Sequence, residues 1–572
     1  MKIRNYVRLS VVSATAIIAG IVPLSAATAT SASHTSASRT LTGLNPRLVP
    51  SAVQAPWVTF GDHENNVNAI SSYGLCRTAA QLGLPFTYAA PSLGETDAIM
   101  NDTLNNSGSS NYGCTSAQNE TTIAVNPTNP QNLVAGANDY RVCCDFVGLN
   151  DGTGWAYYSF NGGHTWGNVQ VPGLTAETGG KGVFKNVDSA GDPVMTFGPD
   201  GTVYYANLVF SRVSPASGVA VSKSTDGGAT WSAPVMVSFT NSPNFFNDKE
   251  WIAAGANGKV VVSWTRFNQG PRGVGYISSP IIASTSSNFG VDWSSWFNVS
   301  DGAHPYNQGS QVAYAPNGDL YVSYEAASPL TGYATDVTAV ARSTDNGASF
   351  STAEIGRVYD DNDCYPISGG RQTLSNQHFR INSYPSMSID PVTGRIAISW
   401  ADDQGAGSCG TGAASFTGTT SNQVKLVSGT WGSFSAPRLI TPDSADKVFP
   451  SVATQGGKTV VSYYTAGYSS SNPACFIKIP DNSIPGANYV TTSTSVCLDY
   501  AARTSLDSFA HETRLTSEGS NPYVMFANGS FIGDYSQVAI GSNGVGHAAW
   551  TDFRGNPGTN SPNQDVYVNT TP

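Results

Sequence analysis

The eight residues Ser224-Thr225-Asp226-Gly227-Gly228-Ala229-Thr230-Trp231 recur along the chain with one spacing. Ser159-Phe160-Asn161-Gly162-Gly163-His164-Thr165-Trp166 is a second copy, and Ser343-Thr344-Asp345-Asn346-Gly347-Ala348-Ser349-Phe350 a third. Ser286-Ser287-Asn288-Phe289-Gly290-Val291-Asp292-Trp293 is a worn copy, and Gly429-Thr430-Trp431 a remnant. Each sits between two β-rich runs. Asp followed by two glycines favours a tight hairpin, because Gly supplies positive φ and Asp bonds its own backbone. The Thr and Trp that follow anchor the turn, one through its hydroxyl and one through a large ring.

From Glu120 a second, longer repeat runs through the chain. Its unit is an apolar strand, a Gly/Asn/Pro turn and a second apolar strand. Seven copies turn at 126–131, 199–201, 257–258, 316–318, 390–394, 456–457 and 543–544. Two hairpins make one four-stranded blade. A blade cannot bury both of its faces alone, so seven blades close into a ring. The expected fold is therefore all-β, a seven-bladed β-propeller spanning 118–572. Residues 565–568 form a single strand after the seventh hairpin, which leaves the last blade short of its outer strand. The extension 51–117 contributes the missing strand, with residues 55–60 as its expected source.

Composition agrees with many short strands: 59 glycines, and only 12% charged residues. Residues 1–29 read as a secretory signal, with Lys2, Arg4 and Arg8, an apolar run over 11–25, and the small-x-small site Ala27-Thr28-Ala29. Its removal takes the net charge from −11 to −14, which disfavours nucleic acid and anionic membranes as partners. No later stretch is long and apolar enough for a membrane helix. Residues 30–50 are a Ser/Thr/Ala linker with a disordered composition. Eight cysteines in an exported chain imply disulfides. Nearness suggests Cys76–Cys114, Cys364–Cys409 and Cys475–Cys497, with Cys143 and Cys144 either joined to each other or to separate partners. The expected localisation is secreted and the expected state a monomer. No cofactor is expected and no zinc spacing occurs. Asp360-Asp361-Asn362-Asp363 offers oxygen ligands to Ca2+ and reads equally as a solvated turn.

The repeat brings particular residues to one end of the ring. The first strands start at Glu120, Asp192, Asp248 with Lys249 and Glu250, Gln308, Tyr384, Phe449, and Asp534 with Tyr535. The second strands return there with Asp139 and Arg141, Arg212, Arg266, Glu325, Asp402 and Asp403, Tyr464, and Asp552 and Arg554. Such a ring of carboxylates, arginines and tyrosines in a charge-poor chain is where a pocket forms. The same residues also suit ion pairs between neighbouring blades.

The pattern Ser-x-Asp-x-Gly-x-Thr-Trp resembles the Asp-box of the sialidase-like β-propeller superfamily, secreted bacterial type. The resemblance places these turns on the outside of the blades, away from the pocket. It implies six blades, one fewer than the repeat count. Tyr535-Ser536-Gln537-Val538, with Gly541 following, is similar to the sialidase segment Tyr-Ser-Asp-Leu that carries the nucleophile, with Gln537 in place of the Asp. By that resemblance the chain is an exo-glycosidase for anionic sugars. Tyr535 is then the nucleophile, activated by Glu120, Glu250 or Glu325. Asp192 or Asp534 is the acid/base, and Arg141, Arg266 and Arg554 clamp the substrate carboxylate beside Tyr384. No Arg is followed by Ile-Pro, so the motif that opens sialidases is absent. A polysaccharide lyase and a non-catalytic propeller binding glycan or protein remain as alternatives. All of these readings share extracellular carbohydrate as the principal partner.

Overall fold

The computed structural model describes residues 98–99, 117–142, 151–273, 275–359, 374, 377, 379–404, 421–478, 490–524, 531–554 and 564–572. Seven antiparallel sheets stand around one axis. Blade 1 is Gln118–Val125, Leu133–Val142, Asp151–Ser159 and Gly167–Gln170. Blades 2 to 6 repeat the order from inner strands Ser189–Phe197, Phe245–Ala254, Asn307–Tyr314, Ser386–Ile389 and Lys447–Gln455. Blade 7 runs Gln537–Ile540, Gly546–Asp552 and Asp565–Thr571. Each inner strand packs against the next, and that of blade 7 against that of blade 1, so the ring is closed.

The outer strand of blade 7 comes from the N-terminal side. Ala98 pairs with Val568 and Ile99 with Tyr567. The strand expected at 55–60 lies outside the described residues, as do the signal, the linker, the Asp360–Asp363 turn and the cysteines other than Cys475 and Cys497. Those two form a disulfide that closes the insertion between the second and third strands of blade 6. Among the described residues, no helix is long and apolar enough to cross a membrane.

What holds the ring is visible in its core, which splits into seven apolar clusters, one for each junction between blades. Val134, Ala156 and Met195 belong to the junction of blades 1 and 2, and Val262, Trp264 and Val219 to that of blades 2 and 3. Ile123, Tyr157, Ala549 and Val566 close blade 7 on blade 1. Each alternating strand therefore buries one side against the preceding blade and the other against the following one. Removing any blade would expose two such clusters.

The recurring eight-residue turns join the third and fourth strands of blades 1 to 4. In blade 2 the Ser224 hydroxyl donates to Asp226 Oδ1 at 2.7 Å, and Asp226 accepts from the Thr230 N–H at 2.9 Å and the Thr230 hydroxyl at 2.6 Å. Trp231 Nε1 donates to the Gly228 carbonyl at 3.0 Å. The turns at Asn161, Asn288 and Asp345 repeat the Ser and Asp/Asn bonds. Every acidic atom of these turns is consumed by the turn itself, which explains their recurrence as fold and not as chemistry.

Candidate functional site

Five of the seven inner strands are interrupted near their start. The register slips between Asn119 and Thr122, Gly191 and Val194, Asp248 and Trp251, Gln308 and Gln311, and Val448 and Ser451. At each slip one residue has positive φ: Glu120, Asp192, Lys249, Gly309 and Phe449. Two residues further on, a side chain stitches the junction. Thr122 Oγ1 accepts the Met195 N–H at 3.1 Å, and Gln311 Oε1 accepts that of Met387 at 2.7 Å. Ser386 and Ser451 accept from Val452 and Val538 at 3.1 and 3.0 Å, and Gln537 Oε1 accepts from Ile123 at 2.9 Å. This ladder fixes Tyr384 and Tyr535 as the equivalents of Glu120 in their blades. It also gives Gln537 a structural role, as a ring stitch.

Gly309 is the one glycine in this series, and a side chain there would run into the Tyr384 ring. For Glu120, Asp192, Lys249 and Phe449 the left-handed conformation is strained, and such strain persists only where the surroundings enforce it. Three of these four form one charge cluster on the axis. Lys249 Nζ lies 2.9 Å from Glu120 Oε1, 3.1 Å from Asp192 Oδ2 and 2.8 Å from Asp534 Oδ2. Arg380 Nε donates to Asp534 Oδ1 at 3.0 Å, and its Nη2 pairs with Asp534 Oδ2. Asn138 Nδ2 donates to Glu120 Oε2 at 2.9 Å, and Asn138 Oδ1 accepts the Asp192 N–H at 2.8 Å. All are buried. The bulges of blades 1, 2 and 3 bring Glu120, Asp192 and Lys249 together, and Asp534 joins them from the residues before the blade 7 inner strand, so four blades meet at one ammonium.

A cleft, open at its mouth, lies against this cluster. Its walls include Lys249, Glu250, Trp251, Tyr384, Phe449, Asp534 and Tyr535. Trp251 packs edge-on against Tyr535, with centroids 5.9 Å apart. Glu250 is 2% exposed, and neither carboxyl oxygen has a hydrogen-bond partner among the described residues. Burial, then the nearby Asp192 carboxylate, pushes its pKa well above the usual carboxylate range. Glu120 is pushed up by the same causes against the pull of Lys249. A carboxyl so placed holds its proton to higher pH than an exposed one.

Of the residues singled out in the sequence, Glu120, Asp192, Glu250, Tyr384, Asp534 and Tyr535 come together here. Arg266 and Arg554 do not join them. Arg554 is buried against Asp552, with Nε 2.8 Å from Oδ1, and donates to Ser517 at 2.5 Å over the Tyr567 ring. Arg266 stacks on Phe245 and Trp296. The reason is their place in the blade: Arg266 sits on the second strand of blade 3, one strand outward from the axis, and packs on rings of its own blade, while Arg554 follows the end of the second strand of blade 7 and turns back onto Asp552. Glu325 is buried in the second strand of blade 4. The side chain of Arg141 lies outside the described residues. Nor is Tyr535 arranged as an activated nucleophile. Its hydroxyl donates to the Pro193 carbonyl at 3.0 Å, and burial, Glu120 and Asp192 push its pKa well above the ordinary tyrosine value.

Sequence reasoning missed Arg380 and Asn382, whose Nδ2 donates to the Asp534 carbonyl at 2.9 Å. A signal existed. Phe379-Arg380-Ile381-Asn382 differs from Phe-Arg-Ile-Pro only in its last residue.

No family profile matches the sequence, and no curated protein does. Solved structures do. A protein of unknown function from Dyadobacter fermentans is 14% identical, with TM-score 0.40, over 66% of this chain and 95% of that one. An alpha-L-arabinanase from Penicillium chrysogenum is 15% identical, with TM-score 0.38, over 65% and 93%. A Hadza microbial sialidase is 11% identical, with TM-score 0.38, over 77% and 73%. The chain is a seven-bladed β-propeller.

Proposed function

We propose that the protein is an exported, carbohydrate-acting propeller that takes a neutral sugar unit into its axial cleft. The observation that carries this reading is the meeting of aromatic walls with a buried, unpartnered carboxyl whose pKa is raised. Trp251, Tyr384 and Tyr535 offer flat faces to the C–H side of a sugar ring. Glu250 supplies the proton that a leaving glycosidic oxygen needs, and the Asp534 carboxylate stabilises the positive charge that develops on the sugar. The charge count favours a neutral ligand over an anionic one. Four acidic groups, Glu120, Asp192, Glu250 and Asp534, face two cations, and both cations are already held by carboxylates. A carboxylate-bearing sugar would find no free guanidinium among the cleft walls.

The test is a screen of the mature protein, expected to begin near Thr30, against neutral glycosides, sialosides and uronate oligomers. Turnover of a neutral substrate is expected, and Glu250→Gln should cut it by about 100-fold or more while leaving binding largely intact. Turnover of sialosides alone would overturn the reading. A second reading, recognition without hydrolysis, is favoured by one observation: Glu120, Asp192 and Asp534 are all engaged by Lys249 or Arg380. It predicts neutral-sugar binding with no turnover in the same screen.

A further inference from the structure

Arg266 lacks the ion pair that five other arginines of the ring make. Arg342, Arg380, Arg503, Arg514 and Arg554 each hold a carboxylate. Arg266 is half-buried, and no hydrogen bond or ion pair to its guanidinium occurs among the described residues. Its Cζ instead lies 4.0 Å from the centroid of the Phe245 ring and 4.6 Å from that of Trp296. Stacking of this kind engages the flat faces of the guanidinium and leaves the N–H donors in its plane available. Arg266 is itself only partly covered and its neighbour Trp296 is 47% exposed, so the pair lies at the solvent boundary.

We propose that Arg266, Phe245 and Trp296 form an oxyanion-binding site on blade 3, outside the axial cleft, that takes the carboxylate or sulfate ester of an acidic sugar unit. Three features point there. A half-buried cation with no counter-charge is costly, and a bound oxyanion relieves that cost. Burial alone already draws the Arg266 pKa below the usual arginine range. The two rings fix the fork before any ligand arrives, so little side-chain entropy is lost on binding. Their remaining surface suits the apolar face of the sugar that bears the anion. Arg266 pairs in register with Asn247, two residues before Lys249, so the site opens at the same end of the ring as the cleft. In a protein of net charge −11, this local arrangement is what makes anion capture selective.

The proposal stands apart from the axial reading and is tested separately. Ligand-observed NMR would compare glucuronic acid, glucose 6-sulfate and glucose as probes of the wild-type protein, Arg266→Lys, Trp296→Ala and Tyr384→Ala. The two acids should bind more tightly than glucose. Arg266→Lys should weaken them about tenfold, since the charge stays but the fork is lost. Trp296→Ala should weaken them with Arg266 intact, and Tyr384→Ala should leave them unchanged. The stronger of the two acids identifies whether carboxylate or sulfate is the natural group. Acids that bind no better than glucose, or that bind Arg266→Lys as well as wild type, would overturn the proposal. So would loss of acid binding in Tyr384→Ala, which would place the acids in the axial cleft.

Discussion

Lys249→Met removes the single ammonium shared by Glu120, Asp192 and Asp534, at 2.9, 3.1 and 2.8 Å. Methionine keeps much of the volume, so the lost interaction is chiefly electrostatic. Breaking one partner out of a buried ion pair costs about 3–5 kcal/mol, because the remaining charge stays desolvated. Here three carboxylates lose their cation and only Asp534 retains another, Arg380, so the upper end of that range is expected. The loss should depend on pH. Glu120 already has a raised pKa, and without Lys249 it rises further. A carboxyl whose pKa is raised in the fold destabilises fully above that pKa, and the penalty fades as pH falls below it toward the unfolded value. Uptake of one proton recovers about 1.4 kcal/mol per pH unit. Urea unfolding followed by tryptophan fluorescence at pH 7.5 and pH 5 measures both effects. The deficit of the variant should be large at pH 7.5 and smaller by at least about 1 kcal/mol at pH 5. Adding Glu120→Gln and Asp192→Asn to the same variant should restore much of the loss. A deficit below about 1 kcal/mol, or one that is equal at the two pH values, would refute the view that the cluster is held by Lys249.

Three further outcomes are expected. His547 is buried where blade 7 meets blade 1, and burial, with His164 nearby, draws its pKa down from 6.5 to about 4. The unfolded chain takes up a proton near the ordinary value while the fold does not. Stability present above pH 6.5 is therefore lost as pH falls toward 4, by about 3 kcal/mol, and His547→Gln should flatten that part of the stability–pH curve. An unchanged curve would show that His547 does not titrate as described. Gly309→Ala forces a Cβ into the Tyr384 ring at positive φ; it should narrow the cleft and weaken sugar binding more than tenfold, as calorimetry would show. Asp226→Ala deletes the acceptor of the Ser224 and Thr230 bonds in the blade 2 hairpin; unfolding should become easier while sugar affinity at the axis stays as in wild type.

The ring was readable from the sequence because its two repeats report different things. The eight-residue turns mark the outer hairpins, and the hairpins from Glu120 onward mark the inner ones. Together they give seven blades, where family resemblance alone implied six. The remnant Gly429-Thr430-Trp431 falls at the corresponding turn of blade 5, as the spacing suggests. The site was half readable. Residues at the starts of first strands, such as Glu120 and Asp192, reach the axis because a bulge turns them inward, and Tyr535 reaches it from just before its strand. Residues at the ends of second strands, such as Arg266 and Arg554, carry equally suggestive charge. A one-strand displacement sends them to other surfaces. Gln537 taught the same lesson: it occupies a motif position that the resemblance reads as chemistry, and it serves a backbone N–H of the next blade. Arg380 arrives from the segment preceding blade 5, and nothing in strand periodicity announces a residue delivered by a connection.

A crystal structure of the mature protein soaked with a neutral oligosaccharide that it binds tests the central claim most directly. The account predicts a sugar ring seated among Trp251, Tyr384 and Tyr535, with a glycosidic or hydroxyl oxygen within hydrogen-bond distance of the Glu250 carboxyl. A saturating sugar found only on the outer face of the blades, with the axial cleft empty, would contradict it.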